Sequence, residues 1–115
     1  MPTKIDLLLK SIYIKKLSSL YGNHLKKVIL YGSYARGDYN SESDIDLMIL
    51  VDLNQNEIKQ KSKNLSDITF DVNYENDILI MPIVQNKVFF DNWINAYPFY
   101  NNIKNEGLEL YASYE

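Results

Sequence analysis

The sequence predicts a small α+β fold, a mixed β-sheet with helices packed on it. Three observations carry that expectation. Short β-branched and aromatic runs alternate with stretches of helical periodicity, in the order α-β-β-α-β-α-α, with a final short β run. The polar linker between the first two strand-like runs could make a hairpin or a wider turn, so at least one strand pair is expected to be antiparallel. A length of 115 residues, 46% of them hydrophobic, supports one real core, so residues 1–115 are expected to form a single domain.

The elements follow in order. Ile5, Leu8, Leu9, Ile12, Leu17 and Leu20 fall near a 3.6-residue period, with Lys4, Lys10, Lys15 and Lys16 off the stripe. That predicts an amphipathic helix capped by Thr3 and stopped at Gly22. "VILY" (28–31) reads as a buried strand ending at Gly32, and "DIDLMILV" (44–51) as a second strand that begins polar and ends apolar. Between them, residues 32–43 are rich in turn formers. Residues 54–75 carry helical spacing at Ile58, Leu65 and Ile68, with Asn54 placed to cap. "ILIMPIV" (78–84) reads as a third strand, and Pro82 within it argues for an edge or a bulge. "VFFDNWI" and "PFYNNIKNEG" predict two short helices, the second with Pro98 in its first turn and Gly107 past its end. "LELY" predicts a short closing strand.

Composition narrows the function. A net charge of −3 argues against gripping duplex nucleic acid by phosphate neutralisation. It leaves nucleotides open, because a metal ion can supply positive charge. With no cysteine there is no disulfide frame, thiolate metal site or thiol nucleophile. The single histidine, His24, argues against a His-rich metal site or a Ser-His-Asp triad and reads as surface. The lysine-broken N-terminus does not read as a signal peptide, and no segment approaches the roughly 20 apolar residues that span a bilayer. A soluble, cytoplasmic protein is expected. If Phe89, Phe90, Trp93 and Phe99 do not all fit inside the core, the remainder would mark a protein partner or a homodimer face.

The chemistry gathers between residues 28 and 51. Residues i and i+2 of a strand share a face, so Asp44 and Asp46 would project side by side. Two adjacent carboxylates repel unless a cation sits with them, and Mg2+ suits one or two carboxylates plus substrate phosphates. Asp-x-Asp alone is too short to assign. Gly32 lets a ligand approach the backbone, and Ser33 adds a hydroxyl and an amide at a strand-to-helix turn. Arg36, the only arginine in the chain, has the planar fork that fits phosphate oxygens. The order strand, Gly-Ser, ten residues, then Asp-x-Asp opening the next strand carries more than any one part.

That pattern resembles the signature of the DNA polymerase β-like nucleotidyltransferase superfamily. "YARGDYNSESDIDLMI" is especially similar to the minimal nucleotidyltransferase (MNT) group, small proteins often paired with a HEPN-domain partner in toxin–antitoxin modules. The resemblance is dense over residues 28–51 and looser over 65–111. It implies a small nucleotidyltransferase-like sheet and transfer of an NMP, AMP from ATP in the first instance, to a hydroxyl of a partner protein. It implies that Gly32, Ser33 and Arg36 bind the nucleotide, and that Asp44 and Asp46 hold Mg2+ with a third carboxylate from a neighbouring strand. Asp77, at the entry to the third strand, is the choice for that third position; Asp71 would replace it if the strand began at "ITFDV". Tyr34 is a candidate for nucleotide contact. The rival expectation is a non-catalytic antitoxin that neutralises its partner by occlusion.

Overall fold

The computed structural model describes residues 4–40 and 42–113. Four strands form one mixed sheet in the order β3-β2-β1-β4: β1 Leu25–Tyr31, β2 Ile45–Val51, β3 Ile80–Asn86 and β4 Leu108–Ala112. β1 runs antiparallel to both β2 and β4, while β2 and β3 are parallel. The expected α+β architecture and the antiparallel first pair are both present. β3 is an edge strand, which accommodates Pro82.

The N-terminal helix is not uniform. α1 (Lys4–Leu8) passes through a π turn, Leu9–Tyr13, into α2 (Ile14–Tyr21). The wider turn shifts the inward stripe to Leu9, Tyr13, Leu17 and Tyr21, so Ile12, expected on that stripe, is exposed. The Tyr13 hydroxyl meets Thr69 Oγ1 at 2.7 Å inside the core. Gly22 ends α2 with a positive φ, as expected. Thr3, the expected cap, lies outside the described residues.

α4 (Gln55–Asn76) crosses from β2 to β3 and is capped by Asn54, which exchanges hydrogen bonds with Glu57 in a capping box. The helix runs to Asn76, and β3 starts only at Ile80. The third strand thus begins two residues later than expected, and "ITFDV" is helical. α5 (Lys87–Trp93) and α6 (Pro98–Glu106) match the two predicted short helices. Gly107 is required by contact: a β-carbon there would collide with the Ile103 carbonyl and the Ile29 side chain.

Strand alternation divides the core. Ile45, Leu47, Ile49 and Val51 face α1, α2 and α4, together with Val28, Leu30 and Ile80. Met48 and Leu50 face α5 and α6 with Ile29, Phe90 and Ile103. Phe90 is buried, whereas Phe89, Trp93 and Phe99 stay substantially exposed, which is the aromatic surface anticipated above. Among the described residues, no helix is long and apolar enough to cross a membrane.

Candidate active site

The candidate residues gather at one end of the sheet, where β1 finishes and β2 begins. Leaving β1, the chain turns at Gly32 (φ 76°) into one helical turn, α3 (Ser33–Arg36), which Gly37 closes in the left-handed conformation. The Gly32 carbonyl accepts the amides of Ala35 and Arg36. The amides of Ser33 and Tyr34 come before them, and leading amides of a helical turn have no carbonyl within it.

Gly32 is needed for two reasons. Its positive φ strains any other residue, and a β-carbon would run into the Asp46 carboxylate. That collision places Asp46 directly against the turn. Asp46 is the second residue of β2, half-buried, and pairs across the ladder with Tyr31. Its alternation matches Met48 and Leu50, so it faces the α5/α6 side. Asp44 sits exposed just before the strand. The Asp46 carboxyl is held above the ordinary carboxylate range, first by burial and then by the Asp44 charge; the Arg36 guanidinium pulls it back. Two carboxylates close enough to repel, beside exposed amide donors, form an oxygen donor set that fits a divalent cation shared with phosphates.

Arg36 lies at the edge of this group, with ion pairs to Asp38 (3.3 Å) and Glu106 of α6 (3.6 Å). A cleft of about 240 Å³ opens beside Gly32, lined by Tyr31, Arg36, Phe99, Asn102 and Glu106. Sequence reasoning did not single out Tyr31 or Glu106. Tyr31 stands immediately before the Gly-Ser pair and opposite Asp46. Burial, then the Asp46 charge, pushes its phenol up to about 12, and Phe99 meets the ring edge-on at 5.6 Å. Glu106 had no local signal, because only the docking of α6 on β1 brings it near.

Asp77 is placed elsewhere. It caps α4 in the left-handed conformation (φ 53°) and lines a separate hollow with Tyr34, Glu42 and Ile45. Ile45 and Tyr34 both pack into the core under α4. Among the described residues, no group of three or more Asp, Glu or His side chains is set to hold a metal ion. Asp77 therefore does not join Asp44 and Asp46 in a three-carboxylate cluster. Asp71 is on the exposed surface of α4, and the strand start that would have favoured it does not exist. Tyr34 stacks on Tyr39 at 4.3 Å, on the Asp77 side.

A family model described as the nucleotidyltransferase domain matches residues 10–100, most of the chain. The chain belongs to the nucleotidyltransferase domain family. It is 35% identical over 99 residues to a Methanocaldococcus jannaschii protein named "putative protein adenylyltransferase", covering 86% of this chain and 91% of the relative. The fold matches that of a "putative nucleotidyltransferase" from Sulfolobus solfataricus with a TM-score of 0.63 at 21% identity, over 95% of this chain and 81% of the other. It also matches a chain from the structure of tri-AMPylated Shewanella oneidensis HEPN toxin in complex with MNT antitoxin. That match has a TM-score of 0.53 at 16% identity and covers 94% of this chain and 73% of the other. As a nucleotidyltransferase, the chain carries its Gly-Ser turn just after β1 and its aspartate pair at the start of the adjacent antiparallel β2, in contact at Gly32 and Asp46.

Proposed function

We infer that this nucleotidyltransferase moves AMP from ATP to a hydroxyl of a partner protein in a Mg2+-dependent reaction, as the antitoxin of a HEPN-type toxin in the cytoplasm. One observation carries the reading: Asp46, with Asp44 beside it, is packed against the Gly32 turn, so a triphosphate seated on that turn would meet both carboxylates. The relative named as a protein adenylyltransferase and the fold shared with a chain of an AMPylated toxin complex support AMP and a protein acceptor.

In this reading the leading amides of α3 and the Ser33 hydroxyl hold the outer phosphates, and Arg36 adds positive charge at the cleft. Asp44 and Asp46 hold Mg2+, which when bound supplies charge neutralisation at the phosphates. The residues contribute chiefly by positioning. The acceptor hydroxyl is lined up with the α-phosphorus, and pyrophosphate departs along the Ser33 turn.

The test uses the protein copurified with its native partner, α-labelled ATP and Mg2+, with Asp44→Ala/Asp46→Ala alongside. Label on the partner, lost in the variant, is expected. A captured partner that takes no label from any nucleoside triphosphate would overturn the transfer reading in favour of neutralisation by occlusion.

A further inference from the structure

Asp46 has one neighbour on each side along the sheet. On β1 it pairs with Tyr31, and on β3 with Met81. Paired residues on adjacent strands point to the same face, so Met81 stands beside Asp46 on the α5/α6 side. The Met81 side chain is 47% exposed, and Ile83, next along on the same face, is 42% exposed. A carboxylate at this position would share a face with Asp46. The position holds a thioether instead. The other nearby carboxylates face Arg36 or the far side of the sheet. Asp38 and Glu106 pair with Arg36, and Asp77 sits with Ile45 under the other face. Tyr31, the neighbour on β1, packs its ring edge-on against Phe99.

An attacking hydroxyl must give up a proton, and a positioned base contributes substantially to such a step. Asp44 and Asp46 serve poorly, because their charge is directed to the cation. We propose that Met81 occupies the place of the third carboxylate, and that the acceptor protein brings the proton-accepting carboxylate alongside its own hydroxyl. The acceptor oxygen bonds to the α-phosphorus, the bond from that phosphorus to the bridging oxygen breaks, and pyrophosphate leaves. The hydroxyl proton passes to the acceptor protein's carboxylate. This rests on the transfer reading above, and it makes the chain slow by itself and fast only with a matched acceptor.

The test restores the missing group. The purified chain, without partner, is compared with Met81→Asp, Met81→Leu, Asp77→Asn and Asp44→Asn. Mn2+ affinity is measured by electron paramagnetic resonance with α,β-methylene ATP bound, and pyrophosphate release is measured with ATP. Met81→Asp should tighten Mn2+ about tenfold, the step expected for about 1.4 kcal/mol of added ligation. It should speed release by at least about a hundredfold, the low end of general-base contributions. Met81→Leu and Asp77→Asn should leave Mn2+ affinity as it is. Weakened Mn2+ in Asp77→Asn, or no tightening in Met81→Asp, would overturn the assignment of the third position. Wild-type release as fast as that of Met81→Asp would show that the chain already holds its base. Unchanged Mn2+ affinity in Asp44→Asn would instead remove the transfer reading, whatever Met81 does.

Discussion

The two faces of the sheet differ in closure. Under α1, α2 and α4, the odd-numbered β2 residues Leu47, Ile49 and Val51 are fully buried in one continuous apolar cluster. Under α5 and α6 the cluster is small, and it stops short of the strand end where Asp46 and Met81 stand. The same strand thus contributes structure on one side and chemistry on the other. The open face keeps two repelling carboxylates half in solvent, and the sealed face supplies the packing that holds them there. Variants on the two faces should therefore separate activity from stability.

The largest expected effect is on the open face. Asp46→Asn keeps the shape and removes the charge. Transfer to the partner should fall by about a hundred- to a thousandfold, the range seen when a single electrostatic group of a reaction centre is lost. Stability should hold or rise slightly, because the Asp44–Asp46 repulsion disappears. Labelled-transfer rates and a urea melt on the same sample check both halves. A destabilised but active variant would invert the comparison.

Truncation on the sealed face should do the opposite. Leu47→Ala removes a side chain with no exposure and should cost about 2–5 kcal/mol in urea unfolding. Ile83→Ala, on the open face of an edge strand, should cost under about 1 kcal/mol. Equal costs would mean that the open face is buried in solution by something that covers it.

Alkaline pH bears on both faces through Tyr13, Tyr21 and Tyr31, each raised to about 12. Burial on the sealed face pushes Tyr13 up to about 12 from its usual 10. The fold favours the neutral phenol, so this contribution is complete below pH 10 and is lost as pH rises through 12. At about 1.4 kcal/mol per pH unit, the loss is about 2–3 kcal/mol. Denaturation midpoints followed across that interval should fall, and Tyr13→Phe should flatten the slope at the cost of leaving Thr69 without its partner. Tyr31, partly buried on the open face, is raised to about the same value, so Tyr13→Phe should remove only part of the slope.

These contrasts also explain what could be read in advance. Gly32 and Asp46 are close in sequence, and the antiparallel pairing of β1 with β2 brings them into contact, which a short linker between two strand-like runs made legible. The edge position of β3 was legible from Pro82, and the capped helix after Asn54 from its cap and periodicity. Asp77 stands apart from the aspartate pair because α4 extends to Asn76 and turns left-handed at Asp77. Two connecting residues then precede Ile80, and counting alternation back from the strand no longer holds. The π turn at Leu9–Tyr13 exchanged Ile12 for Tyr13 through a core contact with Thr69, distant in sequence. Glu106 reaches Arg36 only through the docking of α6, which no local pattern encodes.

The smallest expected effect concerns that last contact. Glu106 and Asp38 both hold the Arg36 guanidinium, at exposed positions where an ion pair is worth about 0.2–1 kcal/mol. A triphosphate on the Gly32 turn would compete with them for the same fork. Glu106→Gln removes one competitor and leaves the side-chain shape, so ATP should bind about two- to fivefold tighter at low salt. The gain should shrink as salt screens these exposed charges. Arg36→Lys should move affinity the other way, because an ammonium cannot grip two oxygens in one plane. Titration of a fluorescent ATP analogue at two ionic strengths measures both. If Glu106→Gln weakens binding, the Glu106 contact positions Arg36 for phosphate, and the open face is tied to α6 more tightly than its small core suggests.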